Sequence, residues 1–178
     1  MFRISAETSF AIARASLNAL VLALAVTASS EAHVVVFPAD LTQSAPACGY
    51  TTFTVRVPVE KPIATTGIRI LVPDDVTVVA LQPKASWQTN TETTKGRISA
   101  IAWTGGKLMP HEFEEFSFLA AAPKRPEVVA WDAEQTYEDG SVVRWTGAPG
   151  SETPHSQTTF TESAKPCRGA APQKGSPK

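Results

Sequence analysis

The chain has 178 residues, 43% hydrophobic, 19% charged and 8% aromatic, which gives one domain a real core and excludes a wholly disordered chain. Sixteen Lys and Arg against 17 Asp and Glu leave a formal charge of −1, so neither a nucleic-acid groove nor a polybasic membrane patch is indicated. Fourteen prolines and ten glycines suit short strands joined by turns.

Arg3 and Arg14 precede an apolar stretch, Ala15 to Ala28, which ends in the small residues Thr27, Ala28, Ser29 and Ser30. Its most apolar run, Leu20 to Val26, falls short of the ~20 residues that cross a bilayer. This is the layout of a secretory signal peptide. Signal peptidase favours small side chains at the last and third-last positions before the cut. Ser30-Glu31-Ala32 meets that rule and places the cut before His33; a cut after Ala28 competes. The expected organisation is a signal peptide over 1–32, a sandwich domain over 33–162 and a flexible tail over 163–178. The expected location is periplasmic or secreted, with no membrane span after cleavage.

The remainder reads as β-structure. Val34 to Phe37 is a short apolar strand. Thr52 to Val57 alternates, with Phe53, Val55 and Val57 on one face, the period of a half-buried strand. Gly67 to Val72 does the same through Ile68, Ile70 and Val72. Pro73-Asp74-Asp75 is a turn, after which Val76 to Leu81 resumes. Trp87 to Thr94 is polar and reads as an edge strand. Arg97 to Trp103 is expected to end at Gly105-Gly106. Phe113 to Ala120 follows, with Phe113, Phe116 and Phe118 packing inward, Glu114 and Glu115 on a solvated strand edge, and a bulge or turn near Phe113–Phe116. Pro123 to Pro126 breaks the chain. Val128 to Gln135 and Val142 to Trp145 flank Glu138-Asp139-Gly140, where Asp-Gly signals a hairpin. Beyond Pro154 the sequence turns polar. Eight or nine strands without helical periodicity or internal repeat predict an all-β, Greek-key sandwich, immunoglobulin-like or cupredoxin-like.

Two cysteines, Cys48 and Cys167, are expected to form a disulfide in an oxidising compartment; the competing reading is a two-thiolate site for a soft metal. No phosphate loop, dinucleotide fingerprint, nucleophile elbow or zinc helix is present. His111 and His155 read as surface residues or satisfied hydrogen-bond partners. His33 differs because cleavage before it leaves a terminal amine beside its ring nitrogen. The two close a chelate ring on one ion, and the amine, with an ordinary pKa of ~8, is readily deprotonated by a dication. Amine and imidazole nitrogen suit Cu(II). The acidic run His111-Glu112-Phe113-Glu114-Glu115-Phe116 offers a further ligand.

Several stretches, in this order and spacing, carry a resemblance. They are Ala32-His33-Val34-Val35-Val36-Phe37-Pro38, Phe53 to Pro58, Pro83-Lys84-Ala85-Ser86-Trp87, Trp103-Thr104-Gly105-Gly106, Glu112-Phe113-Glu114-Glu115-Phe116, and Gln135 to Gly147. From His33 to about Ser156 the chain resembles the YcnI-like copper-binding family of exported bacterial proteins, the DUF1775 domain. The resemblance implies a β-sandwich that binds one Cu(II) through a single-histidine brace. Carried over residue by residue, it makes His33 and Glu112 the metal ligands and sets Trp145 beside the metal. The position before Glu112 is often Gly in such proteins and is His111 here, so a second imidazole near the site is conceivable.

The implied function is copper trafficking, buffering or delivery, with the copper ion and a copper transporter or other copper protein as partners, and no enzymatic activity. Two alternatives stand beside it. A copper-dependent redox enzyme is disfavoured because a carboxylate replaces a second histidine and favours Cu(II) over Cu(I). A metal-free adhesive or carbohydrate-binding sandwich would use the four Trp residues as a platform, although Trp103 and Trp131 sit among apolar neighbours that suit a core.

Overall fold

The computed structural model describes residues 33–39 and 42–167. The expected signal peptide and the tail beyond Cys167 lie outside the described residues. Among the described residues there are twelve strands and no helix: β1 (Val35–Pro38), β2 (Ser44–Pro46), β3 (Tyr50–Pro58), β4 (Thr65–Leu71), β5 (Thr77–Leu81), β6 (Gln88–Thr94), β7 (Arg97–Leu108), β8 (Phe113–Ala121), β9 (Glu127–Trp131), β10 (Ala133–Tyr137), β11 (Val142–Trp145) and β12 (Ser156–Thr161).

The strands form a four-stranded sheet ordered β1-β3-β8-β5, a five-stranded sheet ordered β11-β10-β4-β7-β6, and a three-stranded sheet ordered β2-β12-β9. Consecutive strands β3 and β4, and again β7 and β8, lie in different sheets. Such crossings bury the alternate apolar faces of both sheets against one another. Phe53, Val55 and Val57 of β3 and Phe116 and Phe118 of β8 meet Ile68 and Ile70 of β4 and Ile101 and Trp103 of β7 in one core. Trp103 stacks on Phe116 with ring centroids 4.9 Å apart. Phe53 packs between Phe118 and Trp131. Trp103 and Trp131 are therefore core residues, as their neighbours in sequence indicate.

Four differences from the sequence reading have physical causes. The stretch Val128 to Gln135 is two strands in two sheets, because Asp132 marks the point where the chain leaves β12 for β4. The strand begun at Arg97 does not stop at the glycines but runs to Leu108. Gly106 is required there by contact: a Cβ would lie 2.2 Å from the Trp87 ring. Strand β12 has polar residues at two of its three buried positions, Ser156 and Thr158, beside Phe160, so its apolar alternation is weak; Trp131 Nε1 donates to Thr158 Oγ1 at 3.0 Å. Finally, β8 lies inside its sheet, with an unbroken register from Pro58↔Phe113 to Tyr50↔Ala121. Glu114 and Glu115 are thus not at an edge; they pair with Lys84 and Arg56. Phe113 does not pack inward. It is 61% exposed and lies beside the Arg56 guanidinium. The polar strand β6 does lie at a sheet edge.

The hairpin between β10 and β11 turns at Glu138-Asp139-Gly140, as read from the sequence. Asp139 Oδ1 accepts the Ser141 N–H at 2.8 Å. Hydrogen bonding from Ser141 holds the Asp139 carboxyl below its ordinary pKa. A depressed folded pKa means the stabilisation is present above the ordinary carboxylate range and fades as pH falls through the folded value. In an NMR pH titration, Asp139 is expected to show a midpoint below that of an unstructured Asp peptide, and Ser141→Pro, which removes the donor, to raise it.

Candidate functional site

His33 enters the sandwich just ahead of β1. Val34 and Val36 bury into the core, and β1 pairs with β3 through Val35↔Arg56 and Val36↔Val55. Continuing that register brings His33 level with Pro58. On its other side, β3 pairs Pro58 with Phe113, and Val59 N donates to the Glu112 carbonyl at 3.0 Å. His33 and Glu112 therefore lie at the same end of the four-stranded sheet. Only β3 separates their strands, a backbone separation on the order of 10 Å at normal strand spacing.

The turn Met109-Pro110-His111-Glu112 presents Glu112. The Glu112 N–H donates to the Met109 carbonyl at 3.1 Å, and Glu112 Oε2 accepts the Met109 N–H at 2.8 Å. Glu112 and His111 are exposed. His111 has φ = 68°, in the left-handed region that favours glycine. A glycine would take up this conformation without strain. His is among the residues that tolerate this region better than most.

Trp145 ends β11 and is buried. Its ring lies against that of His33, with centroids 5.3 Å apart and planes tilted by 52°. Its Nε1–H donates to Gln135 Oε1 at 3.2 Å. Gln135 is fully buried, and its Nε2 donates to the Pro58 carbonyl at 2.9 Å and to Thr65 Oγ1 at 2.8 Å. One amide thus links β3, β4 and Trp145 behind His33. The only sequence signal for this role is parity: Gln135 shares the inward face of β10 with Ala133 and Tyr137.

A second connection fixes the approach to His33. Ser156 Oγ accepts the Val36 N–H at 2.9 Å and donates to the Val36 carbonyl at 3.1 Å. The hydroxyl replaces a strand partner and splices β12 onto β1. Ser156→Ala is expected to cost about 2–4 kcal/mol, because it leaves a buried donor and acceptor unmet. Urea unfolding of the two proteins measures this directly.

His155 does not lie on the open surface. It shares with His33 the wall of a cavity of about 280 Å³ that also includes Gln43, Pro149 and Gln157. Among the described residues no three His, Cys, Asp or Glu side chains gather as a metal cluster. The sheet end supplies one imidazole against Trp145 and one carboxylate on the neighbouring turn. Cys48 and Cys167 form a disulfide, so they offer no thiolates and the two-thiolate reading falls.

A family model described as a domain of unknown function, DUF1775, matches residues 33–166. The chain belongs to the DUF1775 family. It is 37% identical over 137 residues to the copper-binding protein CutI of Bacillus subtilis, a match that covers 76% of this chain and 65% of that relative. The chain thus spans slightly under two thirds of that protein's length. Among solved structures, an uncharacterized protein from Nocardia farcinica with an immunoglobulin-like fold superposes with a TM-score of 0.62. The two are 28% identical, and the match covers 72% of this chain and 97% of that one. This DUF1775 domain is accordingly an immunoglobulin-like sandwich, which decides between the two strand orders left open by the sequence.

Proposed function

We propose that this DUF1775 protein is an exported copper-binding protein. It would take up one Cu(II) through a single-histidine brace and serve in copper trafficking, buffering or delivery rather than catalysis. The observation that carries the reading is the His33 imidazole packed on the buried Trp145 ring, at the sheet end that also bears Glu112. Further support comes from the 37% identity to a protein named as copper-binding and from a family match that opens on His33 itself. The disulfide suits an oxidising compartment, periplasmic or extracellular.

In this reading the terminal amine and ring nitrogen of His33 and the carboxylate of Glu112 hold the ion. The ion is cargo, and exposed, exchangeable ligands suit its transfer to a copper transporter or another copper protein. Trp145 shields one side of His33, and Gln135 holds the Trp145 ring in place. The test pairs mass spectrometry of the exported protein with Cu(II) titration read by electron paramagnetic resonance and by tryptophan fluorescence. The expected result is an N-terminus at His33, one nitrogen-rich Cu(II) per chain, and quenching that Trp145→Phe largely removes. A mature chain that begins elsewhere, or a His33-initiated chain with no tight Cu(II), would overturn the reading.

A further inference from the structure

We propose that Gln135 is a positioning residue of the copper site: its buried amide holds the Trp145 face on which His33 packs and the turn that bears Glu112 in one fixed relation. The inference rests on the copper reading above and names a residue outside the ligand set.

The orientation of the amide follows from its partners. An indole N–H can only donate and a backbone carbonyl can only accept. Oε1 therefore faces Trp145 Nε1 at 3.2 Å, and Nε2 faces the Pro58 carbonyl at 2.9 Å. The second Nε2 proton goes to Thr65 Oγ1 at 2.8 Å. The Pro58 carbonyl belongs to the same peptide group as the Val59 N–H, which donates to the Glu112 carbonyl at 3.0 Å. The hydrogen bonds thus run head to tail, from the Trp145 indole through the Gln135 amide and the Pro58–Val59 peptide to Glu112. The Val59 carbonyl also accepts the His111 N–H at 3.2 Å, so Val59 grips the Glu112 turn at two successive residues.

Packing alone does not call for an amide here. Gln135 and Thr65 are fully buried and Trp145 nearly so. Methionine would fill much the same space and need no partners, whereas a buried amide is costly unless it is satisfied. Satisfied hydrogen bonds in a chain polarise one another and specify a single arrangement. What this arrangement specifies is the site. Trp145 lies 5.3 Å from the His33 ring between centroids. Pro58 is level with His33 in the register of β1 and β3, and it pairs with Phe113, the neighbour of Glu112. Strands β1 and β8 are not neighbours in the sheet, so His33 and Glu112 keep their spacing through a common relation to β3 and Trp145.

Two readouts on a His33-initiated chain test this. In NMR spectra of the copper-free protein, the His33 ring protons are expected to resonate away from those of an unstructured histidine, because the Trp145 ring lies against them. Gln135→Met should move them back toward the unstructured position. It should also weaken Cu(II) binding by about tenfold to a hundredfold, the usual effect of losing a hydrogen bond that orients a metal site. Thr158→Val, which leaves the buried Trp131 indole without its acceptor, is a matched loss elsewhere in the core. It should lower thermal stability and change neither readout. Hydrogen exchange on the unmodified chain stands even if Gln135→Met does not fold: the Gln135 side-chain amide and the Trp145 indole proton should exchange as slowly as the β4 backbone. Fast exchange there would overturn the inference. So would a Gln135→Met chain that keeps the His33 shift and the affinity, or equal losses in Thr158→Val, since Gln135 would then be a core residue only. An unmodified chain without tight Cu(II) would overturn the copper reading and this inference with it, a failure visible before any variant is made.

Discussion

Acetylation of the amine of a His33-initiated chain is expected to weaken Cu(II) binding by about a hundredfold or more. It turns the amine into an amide without a basic lone pair and supplies no new amine to anchor the ion in its place. Structural zinc sites bind with an apparent free energy of ~10–16 kcal/mol, and on that scale one of three or four ligands accounts for about a quarter. The fold is expected to be indifferent, because the core begins at Val34 and His33 itself is only partly buried. Competition titration against a copper chelator measures the affinity, and thermal unfolding of the copper-free proteins checks the fold. Glu112→Ala should act in the same direction at small structural cost, since among the described residues its carboxylate accepts only from the exposed Met109 N–H. Unchanged affinity in the acetylated chain would show that the amine is not a ligand.

Removing the disulfide is expected to have the largest effect on stability. Cys48 and Cys167 are 119 residues apart in sequence, so the bond closes most of the domain. Chain entropy assigns a loop of this length ~5 kcal/mol. That compares with a total of ~5–15 kcal/mol for a typical domain. Local structure supports the same pairing. Cys48 N donates to the Pro123 carbonyl at 2.8 Å, and Ala47 N to the Thr161 carbonyl at 2.9 Å, which holds the start of β3 against the segment that leads from β12 to Cys167. Denaturant unfolding with and without reductant, or of the Cys48→Ser/Cys167→Ser double variant, measures the difference. A loss below about 1 kcal/mol would show that the reduced chain already keeps these ends together. Reduction should leave Cu(II) affinity of the still-folded protein nearly unchanged, because neither cysteine lines the cavity at His33.

The alternation of Phe53-Val55-Val57 and of Ile68-Ile70-Val72 was legible because each strand has one face on the core and one toward solvent. The Asp139-Gly140 hairpin was legible because the turn is a local matter of backbone conformation. Strand β12 was not, because its buried side chains include a serine that completes the β1 ladder and a threonine that accepts from Trp131. Their burial is favourable only through partners 27 and 120 residues away. Phe113 misled for the converse reason. An exposed aromatic looks apolar in sequence, and its contact with Arg56 comes from the neighbouring strand.

By itself, then, the sequence determined an all-β chain with inward-facing positions on most strands and a pair of cysteines, and it singled out His33 as the residue that a cut after Ala32 would leave with two nitrogens. These depend on local periodicity and on the chemistry of single residues. Only the tertiary structure decided that Trp145 lies on His33, that Gln135 holds Trp145 in place, and that His155 shares the His33 cavity. These are contacts among strands and loops far apart in the chain, brought together by sheet register and by burial of the common core, and no local pattern encodes them.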